Sequence, residues 1–151
     1  MNDQESYLEN ASTIAFKKLD DAGGNIESLD EPYRTIVTIY AAQGVIDNGG
    51  LFYFFESDWP NNPPYSLFAD AYRRIDRMEA GDAIESAASS FAIRNPERNK
   101  DFRNDFMERQ FGTDDTEGEM SIEWNDCICG DEEVWNCLAA WLRKNYPSAF
   151  N

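Results

Sequence analysis

The chain has 151 residues, with 29 carboxylates against 13 lysines and arginines and no histidine, for a formal net charge of −16. A surface of that sign repels nucleic acid and anionic membranes and attracts basic proteins. The missing histidine removes a Ser-His-Asp triad and a histidine-ligated zinc site, and a 42% hydrophobic content with ten Phe, seven Tyr and four Trp excludes a solvated acidic tail.

From Glu5 to about Leu19, Leu8, Ile14, Ala15 and Leu19 form an apolar stripe that Gly23-Gly24 stops, which predicts a first helix. Ser28 and Asp30 then offer caps, Pro32 suits a first turn, and Tyr33, Ile36, Val37, Tyr40 and Ala41 follow at helical spacing. This second helix is expected to close at Asp47-Asn48-Gly49-Gly50, where asparagine and glycine tolerate the left-handed conformation. Asn-Gly ahead of Leu51, Phe52, Tyr53, Phe54 and Phe55 is also a hairpin signal. The four preceding turns of period 3.6 favour helix-turn-helix over a strand pair.

Trp59-Pro60-Asn61-Asn62-Pro63-Pro64 reads as a loop, since prolines cannot continue a helix. Helix resumes near Tyr65 with Leu67, Phe68, Ala71, Tyr72, Ile75 and Met78 on one face. Gly81 is expected to break it, with Asp82 capping the next helix and Glu85 completing a capping box. Asn95-Pro96 opens a helix carrying Phe102 and Phe106 to Phe111. Residues 113–130 are expected to be mostly loop, with the alternation of Met120, Ile122 and Trp124 hinting at an extended segment. Asp131, Glu132 and Glu133 are placed in the first turn of a final helix, with Arg143 and Lys144 in its last turn. The fold class is therefore all-α: a single-domain orthogonal bundle of about six to seven helices with short loops.

No apolar run approaches the ~20 residues of a membrane span, and the N-terminal Met1-Asn2-Asp3-Gln4-Glu5 has no signal-peptide character, so a cytoplasmic setting is expected. Cys127, Cys129 and Cys137 are odd in number and clustered, unlike a disulfide framework. A metal site would need all three thiolates plus Asp126 or Asp131. The expected state is free thiols flanking a helix, with no metal and no cofactor. A serine nucleophile elbow, a phosphate-binding glycine loop and a dinucleotide fingerprint are all missing, and no catalytic residue is assigned.

Charge is segregated along the chain. Residues 1–70 hold 12 carboxylates against 3 bases, residues 71–112 hold 8 of each, and residues 113–151 hold 9 against 2. Nine of the twenty positions from Asp114 to Glu133 are acidic. In the neutral middle, Asp70 is expected to pair with Arg73 and Arg74, and Asp105 with Arg109, at helical spacing. The candidate partner-binding acids are Asp20, Asp21, Glu27, Asp30, Glu31, Asp47, Glu56 and Asp58 from the first half. The second half adds Asp114, Asp115, Glu117, Glu119, Glu123, Asp126, Asp131, Glu132 and Glu133.

Tyr33-Arg34-Thr35-Ile36-Val37 followed by Val45-Ile46-Asp47-Asn48-Gly49-Gly50-Leu51-Phe52-Tyr53-Phe54-Phe55 resembles the Asn-Gly-Gly core of the bacterial DMP-type DNA-mimic domain. The tract from Ile75 to Phe91 and the closing Tyr146-Pro147-Ser148-Ala149-Phe150 are similar to later parts of the same family, so the likeness covers about residues 30–93 and 131–151. The resemblance implies an all-α domain, a homodimer, and an acidic surface that occupies the DNA-binding face of a transcription regulator. It brings no catalytic residues, and Asn48, Gly49 and Gly50 read as an architectural motif.

Duplex DNA carries a phosphate every ~3.4 Å along each strand, whereas a helix with a carboxylate every three to four residues offers one per roughly 5 Å. A mimic therefore requires acids from both ends of the chain to converge, or two subunits side by side. Two other functions compete with mimicry: an immunity or inhibitor protein blocking a nuclease's cationic cleft, and a small-molecule pocket built from Trp59, Tyr53 and Phe54. Solubility alone also explains many acidic surfaces.

Overall fold

The first helix, α1 (Asp3–Asp21), starts on a capping box, because the Asn2 side chain accepts the Glu5 N–H while the Glu5 carboxylate accepts the Asn2 N–H. It ends where Gly23 and Gly24 take φ of +68° and +81°. A computed structural model describes residues 2–111 and 122–150, and among these every regular element is helical. A 3-10 turn at Ile26–Ser28 leads into α2 (Tyr33–Glu56), followed by α3 (Tyr65–Arg74) and α4 (Met78–Ser89). A second 3-10 turn, Pro96–Arg98, precedes α5 (Lys100–Phe111), and α6 (Ile122–Asp126) and α7 (Glu133–Asn145) complete the order.

Helix α2 is apolar on most of its circumference and is therefore buried at the centre. Ile36, Val37, Ile39, Ala42, Ile46, Leu51, Phe54 and Phe55 are fully buried on it. Around it pack α1, α3, α5 and α6. At its far end, Phe54 meets Phe55, Trp59, Tyr65 and Phe68 at ring-centroid distances of 5.0–5.8 Å, in the tilted and edge-on orientations aromatic pairs prefer.

The Asn-Gly-Gly motif bends this helix rather than ending it in a loop or hairpin. Gly49 and Gly50 leave helical geometry, Gly50 at φ +69°, and the chain re-enters helix at once over 51–56. That conformation is open to glycine and strained for other residues. A bend would orphan the first N–H groups of the new limb. The buried Asn125 from α6 supplies a partner, its Oδ1 accepting the Leu51 N–H at 2.8 Å.

Several local expectations are corrected. The start of α2 is held by Glu31, whose Oε1 accepts the Thr35 N–H at 3.0 Å and the Thr35 hydroxyl at 2.7 Å, rather than by Ser28 or Asp30. The break after α3 falls at Asp76, with φ +68°, and α4 runs through Gly81. A Cβ on Gly81 would stand 2.7 Å from the Ala69 carbonyl oxygen, so this glycine allows α3 and α4 to approach closely. Asp82 and Glu85 form no capping box: they lie one turn apart on α4, and both bind the Arg73 guanidinium at 2.8 Å. Asn95-Pro96 opens only the 3-10 turn, and Asn99 caps α5 by accepting the Phe102 N–H at 3.1 Å. Trp124 is helical rather than extended.

Among the described residues no helix is long and apolar enough to cross a membrane.

Candidate functional site

The acidic positions sort by what their carboxylates touch. Glu31, Asp47, Asp58 and Asp131 are tied into the fold. The Glu31 Oε2 faces Arg34 at 3.3 Å and Arg74 at 3.2 Å, and Arg74 also donates to the Thr35 hydroxyl at 2.8 Å. Arg74 was expected on Asp70; its partner is Glu31, while Asp70 pairs with Arg73 at 3.5 Å. The Asp105–Arg109 pair forms at 3.0 Å as its i, i+4 spacing predicts.

Asp47 anchors the loop that carries the C-terminal acids. Its Oδ1 accepts both the Gln43 side-chain amide and the Gly130 N–H at 2.7 Å. Gln43, fully buried, also donates to the Ile128 carbonyl at 2.8 Å and accepts the Tyr72 hydroxyl at 2.8 Å. Such a buried network is stable only when its members are satisfied. Next to it, Asp131 makes an ion pair with Arg77 and accepts the Glu133 N–H at 3.1 Å, linking this loop to the start of α4 and of α7.

Asp58 holds the opposite end of α2 together with Arg103, a wholly buried cation that sequence reading missed. Arg103 donates to the carbonyls of Phe55 and Pro96 at 2.8 Å each and to the Asp58 carboxylate at 3.0 Å. Lys100 adds a second cation at 3.3 Å. Partial desolvation pushes the Asp58 carboxyl up, but hydrogen bonds and charge from Arg103 and Lys100 outweigh it and hold the group below its ordinary 3.8.

The other described candidates are exposed and make no ion pair among the described residues. Asp20 and Asp21 close α1, Glu27 lies on the 3-10 turn and Asp30 precedes α2, forming a first group at the α1–α2 connection. Glu56 stands apart at the end of α2. Glu123 and Asp126 on α6, with Glu132 and Glu133 entering α7, form a second group. Glu79 and Asp82 of α4, which sequence reading placed in the neutral middle, border that group. Burial first, and then the charges of Glu79, Asp126, Glu123 and Asp82, push the Cys127 thiol above its ordinary value. Asp114, Asp115, Glu117 and Glu119 lie outside the described residues.

The two groups do not merge. The Gln4 amide donates to the Asn136 side chain at 2.6 Å, so α7 begins beside the start of α1. Asp20 is sixteen residues farther along the same helix, which at a rise of 1.5 Å per residue is ~24 Å. That distance is about seven phosphate steps along one DNA strand.

Asn48 donates to the Gly44 carbonyl at 2.9 Å within α2, in keeping with an architectural motif. Phe54 is fully buried and the Trp59 ring packs on Phe54 and Phe68 at 5.5 and 5.0 Å, so these two belong to the core, whereas Tyr53 is exposed. Cys127, Cys129 and Cys137 are free thiols. Among the described residues no three cysteines or carboxylates are grouped to hold a metal ion.

Fold and surface together define a small all-α acidic protein built around a kinked central helix, with one group of exposed carboxylates at the α1–α2 connection and another on α6 and the start of α7. Residues 27–145 match the family model described as DMP19-like protein, and the chain belongs to that family. Comparison with curated proteins and with solved structures gives no significant match.

Proposed function

We propose that this protein is a non-catalytic cytoplasmic partner of a basic protein, and that its carboxylates take the place of DNA phosphates on the DNA-binding face of a transcription regulator. The family supports an interaction role of this kind. The observation that carries the reading is the division of labour among charges. Arginines 34, 73, 74, 77, 103 and 109 and Lys100 are each paired with carboxylates within the fold. Asp20, Asp21, Glu27 and Asp30, and separately Glu123, Asp126, Glu132 and Glu133, are exposed to solvent and make no ion pair among the described residues, Lys18 being a cation beside the first group.

An uncompensated cluster raises the local negative potential and draws cations from a distance at low salt. Glu132 and Glu133 near the start of α1 and the group at its end, with ~24 Å of helix between Gln4 and Asp20, suit a partner whose basic residues are spread along a DNA-sized groove. A homodimer, also part of the proposal, would double the number of clusters.

The test is capture of native lysate proteins on the immobilised chain at ~50 mM salt, released by a salt gradient. DNA-binding regulators should be retained and duplex DNA should displace them. Retention of a nuclease instead would assign the immunity role, and retention of nothing basic would end both electrostatic readings.

A further inference from the structure

The α1–α2 connection contains a niche of about 300 Å³ lined by Lys18, Asp21, Ala22, Ser28, Leu29, Asp30 and Tyr33. Four sources of negative potential meet in it. Asp21 comes from the end of α1 and Asp30 from the approach to α2. The C-terminal end of α1 adds the negative pole of its macrodipole, and the Tyr33 ring offers its electron-rich face. Edge-on packing against the buried Phe150, at 6.1 Å, fixes that ring in place. One cation already sits there: the Lys18 Nζ lies 4.6 Å from the ring centroid.

We propose that this niche is the anchoring site for an arginine side chain of the basic partner, and that Lys18 occupies it in the free protein as an internal competitor. The inference rests on the function proposed above and adds to it a defined contact. A guanidinium stacks on an aromatic face and binds carboxylates through a planar fork of donors, and it is more weakly hydrated than an ammonium. It therefore displaces the lysine, whose flexible stem lets the ammonium return to water. Lys18 lowers the apparent affinity of every arginine-bearing ligand that uses the niche, and by the same factor.

Lys17 provides the control, since it is exposed on the same helix turn and its removal changes net charge by the same amount. The probe is an acetylated, amidated tetra-arginine peptide, titrated at ~50 mM salt by calorimetry and by amide chemical shifts. Lys18→Met should bind it about threefold more tightly than Lys17→Met. Shifts should centre on Lys18, Asp21, Asp30 and Tyr33, and Asp30→Asn or Tyr33→Leu in the Lys18→Met background should remove the gain. Asp30→Asn carries the test if Tyr33→Leu loosens the Phe150 contact. Equal tightening in Lys17→Met and Lys18→Met would overturn the niche and leave the general electrostatic reading standing. Failure of every variant to bind would overturn both.

Discussion

Asn125 and Leu51, 74 residues apart in sequence, share a 2.8 Å hydrogen bond in which the asparagine side chain caps a helix limb on another element. The bond ties the bend at Gly49-Gly50 to the helix that presents Glu123 and Asp126. Replacing Asn125 by alanine leaves the buried Leu51 N–H without its acceptor, and a lost cap of this kind costs about 1–2 kcal/mol. Chemical denaturation should show that loss for Asn125→Ala. Asn125→Asp, which keeps the oxygen acceptor, should recover part of it.

Among the glycines of α2 and α4, Gly44 should respond to alanine in the opposite direction from Gly50 and Gly81. Gly44 is exposed within a helix and an added Cβ meets nothing within 4 Å, so Gly44→Ala should stabilise by about 0.5–1 kcal/mol. Gly50 combines φ +69° with Asn125 Oδ1 at 3.0 Å from the added Cβ, and Gly50→Ala should cost about 1–3 kcal/mol. Gly81→Ala drives a methyl to 2.7 Å from the Ala69 carbonyl and should cost a similar amount. Thermal melts of the three variants give the order Gly44→Ala highest and the other two below the parent protein.

That contrast shows what was legible in the sequence. Helix periodicity and Gly-Gly punctuation are local signals, and they place α1 and α7 closely and the starts, though not the ends, of α2 and α3. Gly81 was misread because a glycine that permits close helix packing looks, in one dimension, like a glycine that ends a helix. Asp82 and Glu85 have capping-box spacing, yet the same spacing puts two carboxylates on one helix face, and Arg73 on α3 takes them. The bonds of Asn125 to Leu51, Gln43 to Ile128 and Arg103 to Phe55 and Asp58 span 45 to 85 residues of sequence, so no short window of the chain contains both members. Of the acidic surface, the segregation of charge was readable. The commitment of Glu31, Asp47, Asp58 and Asp131 to internal partners was not, because it depends on which cations the fold brings near.

Arg103 should be a principal stability residue. Arg103→Met removes donors from the Phe55 and Pro96 carbonyls and from Asp58, at a cost of about 3 kcal/mol or more. Arg103→Lys should recover little, since a point charge cannot reproduce the planar fork. The folded-state pKa of Asp58 is depressed, so its contribution is present above the unfolded value of 3.8 and is lost as pH falls through the folded value. The stability gap between parent and Asp58→Asn should therefore be full at pH 7 and close progressively below pH 3.8 in urea titrations.

At the alkaline end Tyr72 is one of several tyrosines whose hydroxyl pKa is raised by burial. Burial first, and then the nearby charges of Asp47 and Asp131, raise its hydroxyl well above the ordinary 10.0. A raised folded-state pKa means that its contribution is full below pH 10 and declines as pH rises further, because the unfolded tyrosine ionises first. Tyr72→Phe should lose about 1–2 kcal/mol at neutral pH by stripping Gln43 of a donor. Its stability should then fall less steeply than the parent's above pH 10, as followed by circular dichroism.

Exposed acids and committed acids should separate stability from binding. Asp20→Asn, Asp21→Asn, Glu27→Gln and Asp30→Asn combined remove one uncompensated cluster, and relief of mutual repulsion should leave Tm unchanged or higher at low salt. Each lost surface ion pair with a partner is worth up to about 1 kcal/mol, so affinity for a short polylysine should fall on the order of tenfold. The combination of Glu123→Gln, Asp126→Asn, Glu132→Gln and Glu133→Gln should behave alike. Since α1 sets the first cluster ~24 Å from the start of α7, beyond a Debye length of ~8 Å at physiological salt, the effects of the two sets on binding free energy should largely add. Glu31→Gln, Asp47→Asn, Asp58→Asn and Asp131→Asn combined should instead lower Tm, with affinity reduced less than in either exposed set, because those carboxylates already face cations or amides of the fold. Equal loss of affinity in all three sets would mean that the ligand senses net charge alone, and the two-cluster surface would have to be abandoned.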